Sequence, residues 1–67
     1  MIFKVNRKQK IHRAIYDLKS ALGLSRYDKW QYNLTPYEDY FEIDVNNACL
    51  PKYQMEEDIF LWKMKYQ

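Results

Sequence analysis

One stretch, Arg7 to Leu24 (RKQKIHRAIYDLKSALGL), sets the terms for the rest of the chain. Its apolar residues Ile11, Ala14, Ile15, Leu18, Ala21 and Leu22 follow the i, i+3, i+4, i+7, i+10, i+11 series that stacks side chains on one side of a 3.6-residue helix. The spacing predicts a helix over about 7–24. Asn6 is placed to cap its start, and Gly23 to end it in a left-handed residue. Such a helix is marginal by itself, so the remaining residues have to offer an apolar surface for the stripe to pack on.

The flanking segments read as strands. Ile2-Phe3-Lys4-Val5 is a short β-branched and aromatic run that stops at the expected cap. Between Lys29 and Leu34, Trp30, Tyr32 and Leu34 alternate with Gln31 and Asn33, and Thr35-Pro36 breaks the run, because proline brings no N–H to a ladder. Asp39 to Val45 alternates most cleanly, with Phe41, Ile43 and Val45 on one face and Tyr40, Glu42 and Asp44 on the other. Asn46-Asn47 ends it, and the connection through Leu50-Pro51 to Glu56-Glu57-Asp58 reads as a surface loop or one helical turn. Ile59 to Tyr66 reads as a last strand, with Phe60, Trp62, Met64 and Tyr66 opposite Leu61, Lys63 and Lys65. Lys63 and Lys65 would then face Glu42 and Asp44 across an antiparallel pair.

These readings assemble into a small two-layer α+β domain spanning 1–67. One N-terminal helix lies on an antiparallel sheet of three to four strands, in the order β-α-β-β-β. Alternation sends Trp30, Tyr32 and Trp62 to the core and leaves Tyr37 and Tyr40 for the surface.

Composition narrows the chemistry. A chain of 67 residues leaves no room for a cleft between domains. Cys49 is the single cysteine and His12 the single histidine, so neither an internal disulfide nor a zinc knuckle is expected, and no cofactor or metal is implied. The opening MIFKVNRKQK lacks the pattern of a signal peptide, and no apolar run is long enough for a membrane span; the expectation is a reducing, cytoplasmic setting without membrane contact. Net charge is +2, but residues 1–30 hold Lys4, Arg7, Lys8, Lys10, Arg13, Lys19, Arg26 and Lys29 against Asp17 and Asp28. The second half is acidic. That asymmetry points to a basic face with a partner, or to two halves that pair with each other.

Three features could carry function. Arg7-Lys8-Gln9-Lys10 would open the expected helix with cations, against a macrodipole that is positive there, which suits an anionic partner or phosphate. The expected solvent face of the helix carries Gln9, His12, Arg13, Tyr16 and Ser20, and a tyrosine between arginine and histidine has the composition of a protein-binding hot spot. Aromatic residues make up 18% of the chain, more than so small a core can bury, and Tyr37 and Tyr40 sit among acids that would repel phosphate. No nucleophile is spaced to recruit His12 as a base, and Cys49 has no cation beside it in sequence, so no catalytic residues are expected.

The sequence reading is therefore a non-enzymatic protein-binding module that uses Arg7, Lys8, Lys10, His12, Arg13, Tyr16, Tyr37 and Tyr40. The abundance of Lys, Tyr, Asn, Ile and Phe looks like the product of an AT-rich bacteriophage or mobile element, whose small proteins often inhibit one host protein. The alternative is a small nucleic-acid-binding protein that grips phosphates with Arg7, Lys8, Lys10 and Arg13.

Overall fold

The computed structural model describes residues 1–67. In chain order the elements are β1 (Ile2–Asn6), α1 (Ile11–Ala21), β2 (Tyr32–Pro36), β3 (Tyr40–Val45), a single 3-10 turn at Asn47–Cys49, and α2 (Glu56–Tyr66). The three strands form one antiparallel sheet in the order β1-β3-β2. Both helices pack on one face of it, which makes a small α+β domain.

The stripe on α1 is buried as its spacing requires. Ala14, Ile15, Leu18 and Leu22 lie in the core, with Ile11 and Ala21 at its margin. The helix ends in a Schellman motif: Gly23 takes a φ of +86°, its N–H donates to Ser20 O at 3.0 Å, and the Leu24 N–H donates to Lys19 O at 3.2 Å. Its start differs from the expectation. Residues 7–10 are not helical; Asn6 caps a turn, its side chain accepting from the Lys8 N–H at 2.9 Å, and the helix begins at Ile11 after an N-cap at Lys10. Arg7 and Lys8 thereby stay clear of the first helical turn, while Lys10 sits at the N-cap and Arg13 within that turn, against the positive end of the macrodipole.

β3 is the middle strand. Phe3 pairs with Ile43 on one side and Leu34 with Ile43 on the other, so the inward face of the sheet carries Phe3, Val5, Ile43 and Val45, all buried. The outward face carries Lys4 opposite Glu42, the cross-strand charge pair that the sequence reading had assigned to Lys63 and Lys65. β2 starts three residues later than expected, ends two later and includes Pro36. The Tyr37 N–H bonds Tyr40 O at 2.8 Å and the Asn46 N–H bonds Gln31 O at 2.9 Å, so residues 31, 33, 35 and 37 point their backbone at β3 while 32, 34 and 36 point away. Proline at an outward position of an edge strand removes no ladder bond and blunts the free edge.

The largest departure from expectation is the C-terminal segment. Residues 56–66 form a helix, not a fourth strand. Glu56, Glu57 and Asp58 occupy its first turn and Lys63 and Lys65 its last, the distribution that the macrodipole favours. Ile59, Trp62 and Tyr66, at i, i+3 and i+7, are buried against α1 and β1. Trp62 meets Phe3 edge-on at 5.5 Å, and its Nε1–H donates to the Ala14 carbonyl at 3.0 Å. Because the two helices lie over β1 and β3, the core side of β2 stays open. Tyr32 is therefore exposed rather than in the core, Leu34 with it, and Trp30 is only half-buried against the core margin.

Candidate partner-binding surface

The last residue of β1 lies beside the β2–β3 hairpin: Asn6 pairs with Tyr40, and the Arg7 N–H reaches Asp39 O at 3.4 Å. The basic turn 7–10 and the hairpin tip 37–40 therefore share one end of the molecule. There Tyr37 stacks on Tyr40 at 5.0 Å with the rings 25° apart, and the Lys4 ammonium sits 4.9 Å from the Tyr40 ring centre. The Arg7 guanidinium covers Phe41 at 4.4 Å. Cations over aromatic faces gain from the ring quadrupole. Arg7, Lys8 and Lys10 are in no ion pair within the fold, so the acidic half of the chain does not neutralise them.

Arg13 is engaged differently. Its Nε lies 3.7 Å from Asp17 Oδ2, the Lys65 ammonium lies 3.6 Å from the same oxygen, and the Tyr66 hydroxyl donates to it as well. Gln9 adds a bond from its side-chain amide to Lys65 O at 3.0 Å. Asp17 thus ties the two helices together, and Arg13 belongs to that tie as much as to the surface. Burial of the ring, together with the hydrogen bond to Asp17, raises the Tyr66 phenol above its ordinary value of 10.0.

His12 and Tyr16 stand on the solvent side of α1, and Tyr16 is 67% exposed; residues 46–58 do not cover it. Beside Tyr16 runs an open hollow of about 450 Å³ lined by Lys19, Ser20, Leu24, Ser25 and Arg26. The eight residues singled out in sequence do not make one continuous patch. Tyr40 and Lys4 lie on the sheet face turned away from the helices, whereas His12, Arg13 and Tyr16 lie on the helix face turned away from the sheet, and only the turn 7–10 connects the two. The chain matches no family model, no curated protein and no solved structure.

No three His, Cys, Asp or Glu side chains are grouped to hold a metal ion, and no helix is long and apolar enough to cross a membrane. Cys49 is half-buried and its sulfur accepts from the Gln31 N–H at 3.3 Å. The largest hollow, about 650 Å³, is open and mostly polar, lined by Trp30, Gln31, Tyr32, Asn33, Asp44 and Asn46. Sequence reasoning missed the outer side of α2, where Phe60, Leu61 and Met64 are all exposed. The signal is in the sequence: three acids followed by two lysines across 56–65 is the charge order of a helix, set against an alternation of apolar residues that reads as a strand.

Proposed function

We propose that this chain is a small protein-binding module without catalytic chemistry, acting in the cytoplasm, of the kind a bacteriophage or other mobile element uses to inhibit or redirect one host protein. The observation that carries the reading is Tyr16. A tyrosine 67% exposed at the middle of a rigid helix, one turn from His12 and with Ser20 one turn beyond, makes little use of its ring within the fold. Exposed tyrosines held on rigid elements are enriched at binding hot spots because they add contact area at small entropic cost. Arg7, Lys8 and Lys10, free of internal acids, would complement an acidic partner surface and steer its approach.

The same three free cations favour a second reading, a small nucleic-acid-binding protein, and one experiment separates the two. A partner captured from the native host is identified by mass spectrometry and then titrated with Tyr16→Ala, Lys8→Glu and Lys10→Glu at two salt concentrations. Protein binding predicts that Tyr16→Ala weakens the complex by about 1–4 kcal/mol at an unchanged melting temperature, with modest salt dependence. Phosphate binding predicts that the charge reversals dominate, with a log–log salt slope of about −0.9 per phosphate contacted. A complex indifferent to all three substitutions refutes the assignment of this surface.

A further inference from the structure

α2 is apolar on two opposite sides. Ile59, Trp62 and Tyr66 face the core, while at 100° per residue Phe60, Leu61 and Met64 point the other way, and these three are 60%, 55% and 69% exposed. Together with Glu57 they form an i, i+3, i+4, i+7 stripe along the whole helix, the pattern by which one helix seats on another. An apolar row on each of two opposite sides calls for packing on each. Within the fold, nothing covers the outer row.

The charges beside the stripe specify what does. One flank carries Glu56 near the N-terminus and Lys63 seven residues later; the other carries Asp58 and Lys65 with the same separation. Glu56, Glu57, Asp58 and Lys63 are in no ion pair inside the fold, whereas Lys65 lies 3.6 Å from Asp17 Oδ2 and would be shared between Asp17 and the second copy. We propose that the stripe pairs with the same stripe of a second copy of this chain, α2 against α2, antiparallel about a two-fold axis near Phe60 and Leu61. In that arrangement each flank meets its own equivalent running the other way. Glu56 of each copy lies beside Lys63 of the other, and Asp58 beside Lys65, so every contact occurs twice and every contact is attractive. A parallel pairing would set acid on acid and lysine on lysine. The helix dipoles also oppose one another only in the antiparallel arrangement. The stripe is self-complementary in one orientation alone.

The size of the patch sets the strength. A helix of 11 residues is about 16 Å long, and a pair of them buries an area at the low end of specific interfaces, so the dimer is weak and reversible, with a dissociation constant on the order of 10⁻⁵–10⁻⁴ M. The stripe adjoins the face of α1 that carries Tyr16, since Leu61 and Asp58 line one hollow with Asp17 and Ser20, but Tyr16 itself lies outside that hollow. Self-association is read with no other molecule present, so its failure leaves the protein-binding reading of that face untouched.

The test is sedimentation equilibrium of the full chain over concentrations up to about 1 mM, with circular dichroism as a control for the fold. The wild type is expected to dimerise, and Leu61→Asp, at an exposed position, to weaken the dimer by roughly 100-fold without loss of helix signal. Glu56→Lys and Lys63→Glu are each expected to weaken self-association by about three- to tenfold, because each sets like charges opposite one another twice. Mixed together, the two variants regain attraction at both contacts and should associate more tightly than either alone. A wild-type chain that stays monomeric throughout overturns the proposal and leaves the stripe to a different partner. So does self-association that Leu61→Asp leaves intact, or a mixture of the charge variants no tighter than its components.

Discussion

Trp62→Phe tests the joint on which the architecture depends. The indole is buried, packs edge-on against Phe3 at 5.5 Å, and donates from Nε1 to the Ala14 carbonyl at 3.0 Å. Phenylalanine keeps an aromatic ring beside Phe3 but loses the donor, and an intramolecular hydrogen bond contributes about 0.5–1.5 kcal/mol net. The smaller ring also gives up apolar burial equivalent to about two CH₂ groups, near 0.8 kcal/mol each. The sum is about 2–3 kcal/mol, and Trp62→Ala, which empties the site, should cost about 3–5 kcal/mol. For a domain of this size, whose stability is of order 3–5 kcal/mol, the alanine variant is largely unfolded. The phenylalanine variant should melt roughly 10–20 °C lower but still cooperatively. Urea titration followed by far-ultraviolet circular dichroism measures both. A phenylalanine variant within about 0.5 kcal/mol of wild type would mean that the indole is not seated on Ala14, and an alanine variant that melts like wild type would mean that α2 is not docked on α1 at all.

Two further outcomes follow from single residues. Gly23→Ala should cost about 1–2 kcal/mol by urea titration, because φ is +86° there while the added Cβ would meet Pro51 Cγ at an ordinary 3.5 Å; the strain lies in the backbone, and a cost near zero would show that the Schellman turn is not formed in solution. Tyr66→Phe should change the alkaline limb of stability. The folded phenol is held above its unfolded value of 10.0, so its contribution is complete below that pH and is lost as pH rises through the folded value. Wild-type stability should therefore fall more steeply than that of Tyr66→Phe above about pH 10, and parallel curves would contradict the Tyr66–Asp17 bond.

What the sequence made legible was whatever local periodicity encodes. The buried side of α1, its glycine stop and the alternation of β3 were readable because each follows from side chains within a dozen residues. The strand expected over 59–66 was not a strand because Phe60, Trp62, Met64 and Tyr66 alternate only in sequence. On the helix, Trp62 and Tyr66 go to the core while Phe60 and Met64 go to solvent, and that division is set by α1 and Phe3, which lie far away in the chain. Tyr32 failed for a related reason: alternation shows which face a side chain is on, not whether a helix reaches over that strand. At the candidate surface, the exposure of Tyr16 was readable from helical spacing, whereas Arg7, Lys8 and Lys10 lie in a turn before the helix and not in its first turn as expected. The division of that surface between two faces was not readable, since nothing local places a hairpin tip on the far side of the sheet from a helix.

The central position of β3 also orders events in time. β3 joins β2 through a tight hairpin, a contact the chain can make early, whereas its pairing with β1 and the seating of Trp62 on Ala14, 48 residues apart, have to close long loops. Loop closure costs chain entropy before the contacts that offset it exist. The hairpin and α1 are thus the pieces able to flicker into shape separately, while Phe3, Leu18 and Trp62 come together only when both ends of the chain arrive. Once closed, the same arrangement reverses the ranking. Both edge strands are held chiefly by β3, but only β1 also packs on α2, so the amides of β2, whose core side is open, are expected to exchange first through local opening.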